Sequence, residues 1–296
     1  MTRIYSELKR QHVAVFFTLT YREDTVPSNV DSETGEVYLT VRRDDVASWL
    51  KQMREHRRKA GLSTDFKWFI TSEYGPTTLR PHIHGILLGL SLLDVQPYLS
   101  KWQRQFGFTK AREFGLVNSK TALCTIRYTA KYCAKGPLEN PLVASGKVEP
   151  TFHLISKGLG KSFMTNEKRS YYLALDFHGP RRSGRKYTDA YLQEVSKRLA
   201  FSIPPCSYHL ARYYRDMVFE HRFDLQASYS DFVCRRLLES RSPTLVRIYS
   251  EKSPRQIDAA SRQGICEDYR RLVDSENIRK ADSLKSVSKF LKQSKI

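Results

Sequence analysis

The chain has 296 residues, of which 40% are hydrophobic and 12% aromatic, which is enough apolar side chain for a protein folded throughout. Its 50 lysines and arginines outnumber its 31 aspartates and glutamates, and the resulting net charge of +19 favours a polyanionic partner, most commonly nucleic acid. No stretch approaches the roughly 18 uninterrupted apolar residues of a membrane span, and no signal peptide is recognisable, so we expect neither a membrane protein nor a secreted one.

The hydrophobic pattern of the first 136 residues predicts strands that alternate with helices. A β-branched and aromatic run is typical of a buried strand, and apolar residues at helical spacing after Asp44 or Asp45 predict a helix that ends at Gly61. A second helix begins at Ser91 or Asp94 and ends before Gly107. The predicted strands are 12–21, 66–74, 82–89 and a weak one at 113–117, and a further helix covers 121–135.

The order strand, helix, strand, strand, helix, strand is that of a ferredoxin-like, split-βαβ antiparallel sheet with two helices on one face, so the predicted fold class is α+β. After about residue 150 the pattern changes. We predict a catalytic α+β unit over residues 1–185 and a mostly helical extension of unknown role over residues 186–296. Its candidate helices are 189–200, 206–222, 230–240 and 280–293.

Two histidines on one predicted strand form the first candidate site. Because alternate side chains of a strand share a face, His82 and His84 project together and are suited to holding one metal ion. Glu73 lies on the preceding strand, and a hairpin would bring its carboxylate opposite the start of the histidine strand. Two surface histidines on an edge strand and a solvated strand-end glutamate would give the same pattern.

A tandem of two Y-x-x-K units forms the second candidate site. In a helix, residues four apart share a face, so Tyr128 and Tyr132 stack one turn apart, as do Lys131 and Lys135. A phenol is a weak nucleophile, and nearby ammonium groups favour its ionised form and neutralise charge that develops on a phosphate. The alternative is an aromatic stripe packed on the core with lysines at its rim.

Together, these motifs resemble those of the HUH superfamily of single-strand endonucleases. Within that superfamily the fit is to rolling-circle replication initiators, and most closely to those of small single-stranded DNA phages of the microvirus, gokushovirus-like group. The residues that carry the resemblance are 17–21, 72–75, 80–85 and 127–135, and their order matches the three motifs of the family.

The resemblance implies that residues 1–185 are an HUH-type nicking endonuclease domain. His82, His84 and Glu73 would bind a divalent metal, Mg²⁺ or Mn²⁺. The paired nucleophiles would be Tyr128 and Tyr132. The supporting cations would be Lys135 and, less directly, Lys131.

Such proteins nick one strand of origin DNA, stay linked to the 5′ phosphate, and leave a 3′ hydroxyl for a host polymerase. The second tyrosine can cut and rejoin, which releases a circle. Because no helicase module accompanies the nuclease, a host helicase would be needed. The expected location is the bacterial host cytoplasm, and five scattered cysteines without a C-x-x-C pair suit that reducing compartment. Thr18 and Thr20 belong to the first motif, whose role lies more in the sheet and in DNA contacts than in chemistry.

Other interpretations stay open from the sequence. A relaxase or transposase of the same superfamily, a non-catalytic nucleic-acid-binding protein, and a basic structural protein share parts of the pattern. The segment Gly158–Ser162 resembles the end of a phosphate-binding loop but has Ile155 where the motif needs glycine, so we interpret it as a basic turn. His153 is interpreted as a structural histidine and not as a ligand.

Overall fold

The computed structural model describes residues 1–75, 78–116, 119–131, 141–203 and 206–241, which contain nine helices and eleven strands. Tyr132, Lys135 and the predicted helix 280–293 lie outside the described residues. The elements up to residue 115 are α1 (Thr2–Gln11), β1 (Val13–Tyr21), β2 (Ser28–Val30), β3 (Val37–Leu39), α2 (Arg43–Lys59), β4 (Lys67–Tyr74), β5 (Pro81–Leu88), α3 (Leu92–Gln105) and β6 (Gly107–Gly115). Those that follow are α4 (Ser119–Lys131), α5 (Pro141–Ala144), β7 (His153–Ile155), α6 (Asn166–Tyr172), β8 (Arg182–Ser183), β9 (Lys186–Tyr187), α7 (Asp189–Arg198), β10 (Ala200–Ile203), β11 (Cys206–His209), α8 (Arg212–Val218) and α9 (Phe223–Arg241).

Five strands form one antiparallel sheet in the order β6-β1-β5-β4-β7. The predicted order of strand, helix, strand, strand, helix, strand runs from β1 through α2, β4, β5 and α3 to β6. Within that unit the fourth strand lies beside the first, and the third lies between the first and the second. The sequence thus predicted a mixed α and β architecture with an antiparallel sheet, and the structure confirms both features.

One face of the sheet carries the main hydrophobic core, which α2 and α3 cover. Phe17 of β1 packs on Trp49 of α2 with ring centroids 5.4 Å apart, and Trp49 contacts Trp102 of α3 at 6.3 Å. The Tyr21 hydroxyl donates a 2.9 Å hydrogen bond to Asp45 in the first turn of α2. Both helices are therefore fixed on the face of β1 that carries Phe17 and Tyr21, so the alternate residues Phe16, Thr18 and Thr20 point to the other face.

Gly85 explains the last position of the histidine motif. It lies opposite Phe17 in the pairing of β1 with β5. A Cβ atom added at this glycine would lie 2.3 Å from the Phe17 Cζ and 2.9 Å from the Ile70 Cγ1. The core side of the strand therefore needs a residue without a side chain, while the neighbouring His84 faces the opposite side.

The second face of the sheet is partly covered by α1 and α4, which contact each other and β5. Apolar side chains from both helices are buried here, including Ile4, Leu8, Ala122 and Ile126. Because α4 lies against β5 and β6, it brings the segment that contains Tyr128 over the histidine strand. The candidate site is built on this second face.

Three local predictions are wrong or incomplete. The fourth strand runs over Gly107–Gly115 instead of 113–117, because all nine residues pair with β1. The predicted helix 206–222 begins with the strand β11, whose backbone pairs with β10, and only Arg212–Val218 is helical. Pairing with a neighbouring strand thus outweighs a weak helical pattern. The helix α1 was not predicted.

The structure divides into two compact units. The first comprises Met1–Arg169 and Phe201–Arg215, and the second comprises Ser170–Ala200 and the described residues from Asp216 onward. In the second unit, Arg235 of α9 binds both carboxylate oxygens of Asp189 in α7, at 3.1 and 2.9 Å. The predicted boundary at residue 185 between a nuclease domain and an extension stays a prediction. Among the described helices, none combines the length and the apolar character that crossing a bilayer requires.

Candidate active site

The pairing of the strands aligns the predicted site residues in two rows across the second face of the sheet. Directly opposite residues of antiparallel strands point to the same side. The first row contains Phe108, Thr20, His82 and Glu73, and the second contains Lys110, Thr18, His84, Thr71 and His153. Glu73 thus pairs with His82, as the predicted hairpin required.

His84 is held at both of its ring nitrogens. Its Nε2 lies 2.9 Å from the Glu73 Oε1, and its Nδ1 lies 3.0 Å from the Thr18 Oγ1. The side chains of His84 and Glu73 are only 8% and 13% exposed. A carboxylate accepts from Nε2–H, so the Thr18 hydroxyl then donates to Nδ1. Since a hydroxyl can also accept, Thr18 can support either tautomer of the ring.

His82 lies beside this pair with a nitrogen that lacks a protein partner. Its ring centroid is 6.5 Å from that of His84. Its Nδ1 is buried and makes no hydrogen bond within the described part of the chain. Burial lowers the pKa of His82, although the Glu73 carboxylate acts in the opposite direction. The ring is therefore biased towards the neutral form, which is the form that ligates metal ions.

We tested whether these residues suit a divalent cation. In an octahedral ion with bonds of about 2.1 Å, neighbouring ligand atoms lie about 3 Å apart, and the 2.9 Å between His84 Nε2 and Glu73 Oε1 matches that spacing. The unpartnered His82 nitrogen supplies a further donor of the right chemistry. Among the described residues, however, no three His, Cys, Asp or Glu side chains come close enough together to hold a metal ion. His84 and Glu73 are brought together, and His82 is the member that stands apart.

Tyr128 lies directly against the histidine strand. Its ring meets the His84 ring edge to face with centroids 5.6 Å apart, and it meets the Phe16 ring in the same way at 5.9 Å. The Lys131 ammonium lies 4.6 Å from the centre of the Tyr128 ring. The structure therefore brings Tyr128, Lys131, His84 and Glu73 into one cluster.

Local packing of α4 explains why Tyr128 faces His84. The Thr129 side chain is fully buried, and Thr125 is nearly so. The Arg112 guanidinium of β6 donates a 3.1 Å hydrogen bond to the Thr125 hydroxyl. These contacts set the rotation of the helix about its axis, so Tyr128 projects towards the centre of the sheet. Tyr132 and Lys135 follow beyond the described end of α4.

Two residues of the site were not predicted as part of it. Thr18 was assigned to the sheet and DNA contacts, and it hydrogen-bonds His84. His153 was interpreted as a structural histidine, and its Nδ1 lies 2.9 Å from the Thr71 Oγ1, in the same row as His84. The alternation Thr18-Leu19-Thr20 carries the signal for the first, because it places two hydroxyls on one strand face. His153 depends on the pairing of a distant three-residue strand.

The glycine-rich segment 158–162 packs against α1. The Gly160 N–H donates a 2.7 Å hydrogen bond to the Glu7 carboxylate, and the Gly160 carbonyl accepts one from the Tyr214 hydroxyl at 3.0 Å. A protein carboxylate thus occupies the backbone donor that a phosphate would use. This observation agrees with the interpretation of the segment as a turn.

Comparisons with known proteins point to virus replication. Residues 14–137 match the family model of replication-associated proteins of the ORF2 type. The chain is also 26% identical over 167 residues to the replication-associated protein ORF2 of Spiroplasma virus 4, which covers 53% of this chain and 49% of that protein. The chain thus spans about half the length of this curated relative. No solved structure matches the chain.

Proposed function

We propose that the protein is a rolling-circle replication initiator of a virus, which nicks and rejoins single-stranded DNA through tyrosine. We further propose that its sheet and helices form the ferredoxin-like HUH fold, of the type found in microviruses. The observation that carries the proposal is the contact of Tyr128 with His84, which is itself bonded to Glu73. The matched family region, residues 14–137, includes every member of this cluster.

The chemistry would be a transesterification at phosphorus. The Tyr128 or Tyr132 Oη loses its proton and forms a bond to the phosphorus of a DNA phosphodiester. The bond from phosphorus to the 3′ oxygen breaks, and that oxygen takes up a proton to become a free 3′ hydroxyl. The 5′ phosphate stays linked to tyrosine, so the energy of the broken bond is kept for rejoining.

Lys131 has two roles in this proposal. Its ammonium lies over the Tyr128 ring, so its charge favours the phenolate over the phenol. The same charge offsets the negative charge that develops on the phosphate oxygens during transfer. Lys135 would act in the same way on Tyr132, one helical turn further along.

His82, His84 and Glu73 would hold a divalent cation, Mg²⁺ or Mn²⁺. When bound, such an ion polarises a phosphate oxygen and orients the scissile bond. Thr18 would hold the His84 ring in the required orientation through Nδ1, as outer partners of metal-binding histidines generally do.

Two tyrosines on one helix would allow a complete replication cycle. One would carry the first cut, and the other would cut the newly made strand and rejoin the ends. A host polymerase would extend the 3′ hydroxyl, and a host helicase would separate the strands. We therefore expect the protein to act on origin DNA in the cytoplasm of a bacterial host.

The test is incubation of the protein with labelled single-stranded DNA and Mg²⁺ or Mn²⁺. A pool of random sequences is used, and the strands that become covalently attached are sequenced to identify the origin. Attachment is expected for the wild type and is expected to disappear in the double variant Tyr128→Phe/Tyr132→Phe. Attachment by the double variant would refute the assignment of the nucleophiles. Metal-independent binding without any product would instead favour a non-catalytic nucleic-acid-binding protein.

A further inference from the structure

An aromatic side chain stands exposed on the edge of the sheet in the row of the candidate site. Phe108 of β6 is 63% exposed. It pairs with Thr20, which pairs with His82, so all three point to the same face. Neighbouring strands lie about 4.8 Å apart, which puts the backbone of Phe108 about 10 Å from that of His82. The small Thr20 is the only side chain between them in this row.

A lysine continues the same surface. Lys110 is two residues along β6, and so shares the face of Phe108, and it lies in the row of Thr18 and His84. It is exposed, whereas Arg112 further along β6 is tied to Thr125 of α4. The open part of this strand therefore presents one aromatic ring and one ammonium group beside the histidines.

The chemistry of this surface suits single-stranded nucleic acid. Phe108 stands beside polar and charged residues instead of a contiguous apolar patch, which an apolar protein partner would need. Proteins bind single strands by stacking bases on aromatic rings and by following the backbone with positive charge. The net charge of +19 adds to the attraction for such a polyanion.

We propose that Phe108 stacks on a nucleobase next to the scissile phosphate and that Lys110 binds a backbone phosphate. The DNA strand then crosses the β6 edge of the sheet to reach His82, His84 and Tyr128. This inference rests on the proposed function and assigns to it a positioning surface. Phe108 takes no part in the bond changes, and it fixes which phosphate lies at the tyrosine.

Binding without metal tests the surface independently of cleavage. The probe is a fluorescent oligothymidylate of about 20 nucleotides in the presence of EDTA. Phe108→Ala is expected to weaken binding by about 5- to 150-fold, and Phe108→Trp to restore it, since stacking needs an aromatic ring. Phe108→Leu should behave like the alanine variant. Equal binding by the alanine variant and the wild type would overturn the proposal, as would full rescue by leucine.

Salt dependence tests the role of Lys110. Lys110→Gln should lower the slope of log affinity against log salt by about 0.7, the value for one phosphate contact on a single strand. The matched controls lie on α3, which covers the opposite face of the sheet. Leu93 is 86% exposed there, and Lys101 is exposed too. Leu93→Ala and Lys101→Gln should leave affinity and slope unchanged, and an unchanged slope for Lys110→Gln would contradict its phosphate contact.

Crosslinking locates the base and separates this inference from the proposed function. Oligonucleotides that contain 5-iododeoxyuridine should crosslink to the tryptic peptide 105–110, with the modified residue identified as Phe108. Covalent attachment in Mg²⁺ or Mn²⁺ is measured in parallel. Attachment together with wild-type binding and no crosslink at Phe108 refutes only the inference. Loss of binding in Phe108→Ala without attachment by any variant supports the surface and refutes the nuclease.

Discussion

Replacing Thr18 by valine tests how the site holds His84. Valine has nearly the same shape and suits a β-strand, so the sheet is expected to stay intact. The substitution removes the hydroxyl that lies 3.0 Å from the His84 Nδ1. The contact of Nε2 with Glu73 remains, so the change isolates one of the two bonds on the ring.

The expected magnitude follows from the burial of the ring. The His84 side chain is 8% exposed, so an unpartnered Nδ1 has little access to water. Leaving such a group unsatisfied costs about 1–3 kcal/mol in the free energy of unfolding. In a domain of roughly 150–250 residues, each kcal/mol lowers the melting temperature by about 2–4 °C. Loss of the outer partner of a metal-binding histidine weakens metal affinity by about 10- to 100-fold.

The assay measures thermal unfolding and Mn²⁺ affinity in the same set of variants. Thr18→Ser should recover both quantities, because it keeps the hydroxyl. The control is Thr20→Val on the same strand face, since the Thr20 hydroxyl is directed at the Phe108 carbonyl, 3.5 Å away, and not at a histidine. Lower stability with unchanged Mn²⁺ affinity in Thr18→Val would refute the positioning role and leave Thr18 a structural residue.

Three further predictions concern the sheet, the nucleophile and the acid limit of stability. Gly85→Ala should destabilise the protein by about 1–3 kcal/mol in chemical denaturation, because the new Cβ meets the Phe17 ring, and Phe17→Leu in the same chain should recover part of the loss. Tyr128→Phe should keep the unfolding free energy within about 0.5 kcal/mol but abolish the transfer that uses its hydroxyl, measured as adduct or as rejoined strand. The hydrogen bonds from the N-cap serine of α3 lower the pKa of Asp94, so this carboxylate stabilises the fold above its unfolded pKa of about 3.9 and the contribution is lost as pH falls through the folded value. Asp94→Asn should therefore destabilise the protein at neutral pH, and this difference should vanish in acid, as measured by unfolding at several pH values.

The elements with a strong local pattern could be predicted from the sequence. The helix α2 carries Val46, Leu50 and Met53 at helical spacing, and Ser91 forms a capping box with Asp94 at the start of α3. The helix α1 has a comparable signal in Ile4 and Leu8, one turn apart and both buried, which the sequence analysis did not use. Such patterns depend only on neighbours along the chain.

Elements and contacts that depend on distant partners were harder to predict. The strand β6 exposes Phe108 and Lys110 on one face, so its pattern is that of an edge strand with little burial, and its length follows from pairing with β1. The strand β11 depends in the same way on β10.

The same distinction applies within the site. The spacing of His82 and His84 and their hairpin with Glu73 are local, and the pairing of Glu73 with His82 was predicted. The contact of Thr18 with His84 requires the order of strands in the sheet. The contact of Tyr128 with His84 requires the docking of α4, which no pattern within the helix specifies.

Mapping the residue that becomes attached to DNA tests the central claim most directly. Trypsin cuts after Arg127, Lys131 and Lys135, so the two tyrosines fall on separate peptides, 128–131 and 132–135. After reaction with a single-stranded origin oligonucleotide and nuclease digestion, mass spectrometry should find a nucleotide joined through phosphate to Tyr128 or Tyr132. A linkage to any other residue of the chain, or cleavage of the DNA without a protein linkage, would contradict the account.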